Sequence, residues 1–280
     1  MPLVLLNARI TKKTLSRWLF LKNFSEILFG FFSICIASSK ETMENLSLLK
    51  AKKIRYYGNI KFCSKIKINS KLENDQFKNI KDNNIWCAVS THEDEEIFCS
   101  EVHKIIKKTM QDSLCIIIPR HIDRINKIAK KLKKSGLKLQ IKNQNDLIDS
   151  SADIVLVNYY GSVGDFLEKI KNVFVGKSLV KKLVRVGGQN PIEAAQKACF
   201  IFHGPFVYNF AEIYSYLKDK GFSQEINYPD ELAKKLLSNF NNNEKVVDKK
   251  KLEDLNVYSD SIFKSVINEY EILINENFKA

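Results

Sequence analysis

The sequence predicts a doubly wound α/β domain over residues 84–250, preceded by a strongly basic block. Three observations carry this. Apolar runs of four to six residues recur along the second part of the chain, as strands buried on both faces do. Amphipathic stretches lie between them, as the crossover helices of a parallel sheet do. A composition of 45% hydrophobic and 28% charged residues, with few Gly and Pro, excludes wholesale disorder and collagen-like repeats.

The elements follow in chain order. The opening MPLVLLNARI reads as a buried strand ending at Asn7. Residues 1–62 carry eleven Lys and Arg against three Glu, which is +8 of the chain's net +13. Such concentration suits a phosphorylated partner, either nucleic acid or an anionic lipid surface, or else is the solvated surface of a lysine-rich protein. The longest apolar run, ILFGFFSICIA at 27–37, has 11 residues, against the roughly 20 of a spanning helix. The N-terminus lacks the basic stretch and cleavage site of a signal peptide. Residues 63–83 are polar and read as a linker. Strands are expected at 86–90, 115–119, 137–141, 154–157, 173–176 and 200–203, and helices at 95–111, 123–135, 191–197 and 208–220. A polar segment, 239–251, leads to an amphipathic helix from about 259 to 277.

The cysteines show no CxxC and no paired spacing, and Cys35, Cys115 and Cys199 lie in apolar runs as free buried thiols do. No disulfide framework or zinc site is expected, and a reducing cytoplasmic compartment fits. Histidine spacing gives no HxH or HExxH, so no metal site is expected, and without GxGxxG or a P-loop nothing points to NAD or ATP.

In a doubly wound sheet, ligands bind at the carboxyl ends of the strands. There the sequence places His92, then Pro119-Arg120-His121, then Tyr160-Gly161-Ser162, then Gly176-Lys177-Ser178. The segment GGQNPIEAA opens a helix with two glycines, Asn190 as cap and Pro191 at the first helical position. Free N–H groups of that first turn, with the Arg120 guanidinium, make a phosphate pocket that requires no metal, and Glu193 is placed to accept ribose hydroxyls. An ordinary helix start is the plainer alternative. His92 and His121 are candidate substrate contacts, His203 reads as a packed turn residue, and His103 reads as surface.

STHEDEE, IIIPRH, NYYGS, VFVGKSLV, GGQNPIEAA and GPFVYNF resemble the C-terminal domain of bacterial 3-deoxy-D-manno-octulosonic acid (Kdo) transferases. LLNARITKKTLSRW and YYGNIKF resemble the second half of that family's acceptor domain. The resemblance runs over nearly the whole chain, in order. It implies a GT-B fold, with residues 1–62 as part of the acceptor-side domain, 84–250 as the CMP-sugar domain and 251–280 as a helix packing back toward the first domain. It also implies inverting, metal-independent transfer of Kdo from CMP-Kdo to a lipid A precursor, with no cofactor and no nucleic-acid partner. The place would be the cytoplasmic face of the bacterial inner membrane, in peripheral contact with an anionic surface. By the same resemblance Pro119 and Arg120 hold CMP, Tyr160, Gly161, Ser162, Asn190, Pro191, Ile192 and Glu193 complete that site, and Lys61 stabilises charge in the transition state.

The sequence departs from the family pattern at three places. It begins after the family's catalytic glutamate base, so it reads as N-terminally truncated. Asn158 and Ser162 replace acidic residues of a DTMGE-like motif, and Lys177 replaces a glycine of the usual VGGSL. Besides a working transferase, the open alternatives are a non-catalytic remnant that binds a CMP-sugar or a partner chain, a GT-B enzyme with another nucleotide-sugar donor, and a basic nucleic-acid binder.

Overall fold

A computed structural model of the chain describes residues 2–64, 84–184, 186–241 and 247–278. The chain divides into two compact units, Met1–Lys65 with Glu253–Ala280, and Ile66–Leu252. Apart from Cys63 and Ser64, the linker expected at 63–83 lies outside the described residues.

The first unit begins β1 (Val4–Ala8), α1 (Lys12–Phe20), α2 (Lys22–Gly30), β2 (Ile34–Ala37), α3 (Lys40–Leu48) and β3 (Ile54–Tyr56). The strands form a parallel sheet in the order β1-β2-β3. The longest apolar run does not form one element: its first part is helix, and only Ile34–Ala37 is strand, with all four residues buried. Helix starts are set by hydroxyl caps, as the free N–H groups of a first turn require. Thr11 Oγ1 accepts from the Thr14 N–H at 3.3 Å, and Ser39 Oγ accepts from the Thr42 N–H at 3.0 Å. Asn45, buried on α3, donates to the Ile10 carbonyl at 2.6 Å and ties the exit of β1 to the helix. Cys35, Ala37, Leu46, Leu49 and Phe29 fill the small core.

The second unit runs β4 (Ile85–Thr91), α4 (Glu95–Lys107), β5 (Leu114–Pro119), α5 (Ile125–Lys133), β6 (Leu139–Lys142), β7 (Ile154–Val157), α6 (Val163–Lys169), β8 (Asn172–Val175), α7 (Ile192–Gln196), β9 (Phe200–His203), α8 (Ala211–Asp219), β10 (Ser223–Glu225) and α9 (Pro229–Asn241). Its sheet is parallel throughout, in the order β10-β9-β8-β4-β5-β7-β6. Every residue of β5 and β7 is buried, which is why those runs lack alternation: both sheet faces are covered by helices. Ile116 and Ile117, fully buried, each contribute about 1.5–3 kcal/mol relative to exposure. From β4 the chain winds to β5 on one side, and from β8 to β9 on the other. The strand order therefore reverses between β4 and β8, and a crevice for ligands opens at such a point.

His103 corrects the sequence expectation of a surface histidine. It is fully buried on α4, where its Nδ1 accepts from the Trp86 indole N–H at 3.3 Å. An acceptor nitrogen requires the neutral ring, and burial lowers its pKa to about 4.

The last helix, α10 (Lys249–Phe278), starts ten residues before the expected 259, because nothing in KKKLEDLN interrupts a helix. From Glu253 on it belongs to the first unit. Tyr258 packs edge-on against Phe62 at 5.3 Å, and Ser259 Oγ donates to the Phe62 carbonyl at 2.8 Å. Glu269, buried, accepts from Arg55 Nε at 2.9 Å and from the Tyr57 hydroxyl at 2.5 Å. Burial raises this carboxyl, but Tyr57, Arg55 and Lys53 outweigh it and hold the group below its usual range.

Candidate functional site

The site is built from the residues just past the end of each strand of the second unit. β4 ends at Thr91 and β5 at Pro119, which pair with each other just past a register shift at Ser90. The Arg120 N–H donates to the Thr91 carbonyl at 3.1 Å, which fixes Arg120 and His121 beside His92. The His92 and His121 rings meet edge-on with centroids 5.6 Å apart. Gln189 Nε2 lies 3.4 Å from His92 Nε2, and the Gln189 carbonyl accepts from the buried Tyr214 hydroxyl at 3.1 Å. His92 therefore sits at the centre. Its pKa falls to about 4, first because it is partly buried and then because the charges of Lys177, His121, Arg124 and Arg120 all reach it. At neutral pH it is an uncharged donor and acceptor among cations.

Beneath this cluster lies a carboxylate that the sequence pattern shows only as one of four acids opening a helix. Glu95 is fully buried. Its Oε2 accepts from the N–H groups of His92 at 2.8 Å and Lys177 at 2.7 Å; its Oε1 accepts from those of Ser178 at 2.8 Å and Leu179 at 3.0 Å. Burial pushes the carboxyl up, opposed by those four donors. Successive backbone N–H groups make a nest for an anion, but here the protein's own carboxylate occupies it. These four N–H groups are therefore not available to an external phosphate, and above them the side chains are left to meet it.

Most neighbouring cations are already matched. Arg124 binds Glu96 through both of its terminal nitrogens at 3.2 Å, and Lys127, Lys131 and Lys182 pair with Glu93. Among the described residues, the Arg120 and Lys177 side chains have no carboxylate partner. Two cations at the switch point thus remain for an anion.

The other expected residues form a second group. Pro119 is buried as the end of β5, whereas Tyr160 is exposed. Gly161 takes φ +81° with open space where a side chain would stand, and Ser162, buried, precedes α6. The helix start at GGQNPIEAA differs from expectation. The helix comprises only Ile192–Gln196, Pro191 precedes it, and the Asn190 side chain accepts from the Ile192 N–H at 3.2 Å. So short a helix supplies little dipole for an anion. Its glycines have another purpose: a Cβ on Gly187 would collide with the Phe206 carbonyl oxygen, and Gly188 adopts φ +94°. Glu193 faces α6, with Oε1 3.2 Å from where a Gly164 side chain would begin. Burial, with the charge of Asp165, raises its carboxyl against the opposing effect of Lys197.

Lys61 belongs to the first unit, in a 3-10 turn, Ile60–Cys63, whose start is capped by Asn59. Its pKa is lowered by burial and by the charge of Arg9. All six cysteines are free thiols, and no cluster of three or more metal-binding side chains occurs among the described residues. No helix among them is long and apolar enough to cross a membrane.

Residues 1–64 match the family described as 3-deoxy-D-manno-octulosonic-acid transferase (kdotransferase). The 3-deoxy-D-manno-octulosonic acid transferase of Rickettsia prowazekii is 28% identical over 276 residues, 98% of this chain and 59% of the relative. That of Haemophilus influenzae is 26% identical over 230 residues, 81% and 53%. The chain thus spans about half the length of the curated relatives it matches. Among solved structures, the C-terminal CMP-Kdo binding domain of WaaA from Acinetobacter baumannii superposes with TM-score 0.56 at 19% identity, covering 73% of this chain and 97% of that one. A glycosyltransferase from Rickettsia africae gives 0.51 at 11%, covering 98% and 69%. These likenesses show the fold, the α/β GT-B type.

Proposed function

This chain belongs to the Kdo transferase family, and from that premise we propose that its second unit binds CMP-Kdo and that the chain serves transfer of Kdo to a lipid A precursor in lipopolysaccharide core assembly. The observation that carries the reading is the pair of cations, Arg120 and Lys177, without carboxylate partners at the strand ends.

In the reaction, an acceptor hydroxyl oxygen forms a bond to the anomeric carbon while the bond from that carbon to the CMP phosphate oxygen breaks. The electron pair stays on the phosphate, and the hydroxyl proton goes to a carboxylate base, which in the family is a glutamate N-terminal to the part that this sequence matches. One-step displacement inverts the anomeric centre. Arg120 offsets the charge that grows on the departing phosphate, and Lys61 has the family's charge-stabilising role. Pro119 fixes the turn that presents Arg120. Tyr160, Gly161 and Ser162, with Asn190, Pro191, Ile192 and Glu193, hold the nucleoside, Glu193 accepting from ribose hydroxyls. Neutral His92, with His121, contacts the donor sugar. Positive side chains supply the charge, so the reading requires neither metal nor cofactor.

The first unit supports a peripheral membrane location on the cytoplasmic face of the inner membrane. Lys12, Lys13, Arg17 and Lys22 lie on the same two helices as the exposed Phe20, Phe24 and Ile27. Basic and apolar side chains together suit an anionic lipid surface. The alternative reading is nucleotide binding without transfer. Incubating the purified chain with CMP-Kdo and a lipid A precursor separates the two. Both readings expect CMP-Kdo to bind; a precursor heavier by one Kdo residue in the mass spectrum favours transfer, and binding with no product favours the alternative reading.

A further inference from the structure

Lys177 stands where the resemblance leads one to expect glycine, and its backbone has φ +59°. That left-handed region suits glycine, because a Cβ there crowds the neighbouring carbonyl. The backbone cannot turn away from it. The Lys177 N–H is held by Glu95 Oε2 at 2.7 Å, and its carbonyl accepts from the Gly188 N–H at 2.6 Å. On the preceding side, a Cβ on Gly176 would lie 2.7 Å from the Ser90 carbonyl oxygen, so that strand end has no slack either. The chain thus carries a lysine in a glycine conformation.

The side chain explains what a glycine would lack. Lys177 follows β8 at the strand-order reversal, while Arg120 follows β5, on the other side of β4. His92, at the end of β4, lies between them in the sheet order, and after burial the charge of Lys177 is the largest influence on its ring. No carboxylate among the described residues neutralises this lysine. Resting on the reading of the strand ends as a nucleotide-sugar site, we infer that Lys177 is an added phosphate-binding cation, which takes the second negative charge that appears when the nucleotide leaves.

The chemistry separates its task from that of Arg120. Within a CMP-sugar the phosphate is a diester with one negative charge. Once the sugar departs it is a monoester carrying about two near neutral pH. One cation matches the diester, and two match the leaving group. A second cation therefore acts more strongly on the departing state than on the bound donor, which is the condition for raising a rate rather than merely tightening a complex.

The test is calorimetric titration of the full chain and of its Lys177→Gly variant with CMP, the methyl ester of CMP and cytidine. Lys177→Gly is expected to weaken CMP by about 10-fold, the methyl ester by clearly less, and cytidine not at all. Its melting temperature is expected to stay level or to rise by about 2 °C as the strained backbone is relieved. Lys177→Arg should keep CMP affinity within about 3-fold. Equal CMP affinity in the wild type and Lys177→Gly overturns the inference, and if Arg120→Ala still loses binding, the nucleotide-sugar reading stands without it. A lower melting temperature in Lys177→Gly makes the lysine structural and also overturns the inference. Loss in Lys177→Gly of binding to UDP, with CMP unbound by the wild type, keeps the lysine's role and removes the CMP reading. A wild type that binds no nucleotide removes both.

Discussion

The Glu95 carboxylate, on the first turn of α4, accepts the N–H of Ser178 at 2.8 Å across 83 residues of sequence. The same group holds the N–H of Lys177, Leu179 and His92, so one buried anion joins the ends of β4 and β8. The loop after β8 would otherwise present three consecutive N–H groups to a ligand. With these filled from within, recognition passes to the side chains above, where Arg120 and Lys177 stand. Glu95 is a positioning residue in this scheme: it shapes the loop and touches no ligand.

Removing that anion leaves four buried donors without an acceptor. Glu95→Ala is expected to destabilise the chain by about 3–5 kcal/mol, and Glu95→Gln by about 2–4 kcal/mol, because an amide nitrogen turns a donor toward N–H groups. Urea denaturation followed by circular dichroism checks this. A loss below about 1 kcal/mol for Glu95→Ala would show that the four bonds do not hold the strand ends.

Gly187 is expected to tolerate no side chain, since a Cβ would collide with the Phe206 carbonyl oxygen. Gly187→Ala should lower stability by about 2–3 kcal/mol and loosen Gln189, which lies in the same loop. Gly161→Ala meets no neighbour but must accept φ +81°, a cost of about 1 kcal/mol. Comparing the two melting curves tests the assignment; equal losses would contradict it.

Acidification has a defined sign. His103 in the folded chain titrates at about 4 against an ordinary value of 6.5, so between those values the unfolded chain binds a proton that the folded chain refuses. Stability is then full above pH 6.5 and falls as pH drops toward 4, by of order 2 kcal/mol for a ring this buried. His92, also lowered to about 4, acts in the same direction. His103→Phe should flatten the slope of stability between pH 6.5 and 4, as read by denaturant titration at several pH values. An unchanged slope would mean that His103 does not titrate as its burial requires.

Phe20 is 89% exposed and Phe24 56% exposed, on helices that carry Lys12, Lys13, Arg17 and Lys22. Binding to vesicles with phosphatidylglycerol is expected to weaken as salt is raised. Phe20→Asp with Phe24→Asp should reduce it by about 10-fold at fixed salt. Sedimentation with vesicles measures both, and an unaffected double variant would rule this face out.

Much of the fold was legible because buried parallel strands are written as apolar runs. The expected strands at 154–157 and 200–203 coincide with Ile154–Val157 and Phe200–His203. β10 was not legible, since Ser223–Glu225 is polar and short and is defined by its pairing with β9. α9 carries a readable signal, Pro229 at its first position and two acids in its first turn. At the site, Arg120, His92 and His121 were legible from their place after strands. Glu95 was not, because three of its four donors lie 82 to 84 residues away, and local patterns do not encode such pairings. His103 reads as surface for the same reason: its partner, Trp86, comes from another element.

The central claim is that the strand ends of the second unit bind a cytidine nucleotide through Arg120. Its most direct test is calorimetric titration of CMP into the wild-type chain and into Arg120→Ala, with folding of the variant confirmed by circular dichroism. Saturable binding by the wild type, lost by at least about 10-fold in the variant, is the expected result. Unchanged CMP affinity in a folded Arg120→Ala chain would contradict the claim.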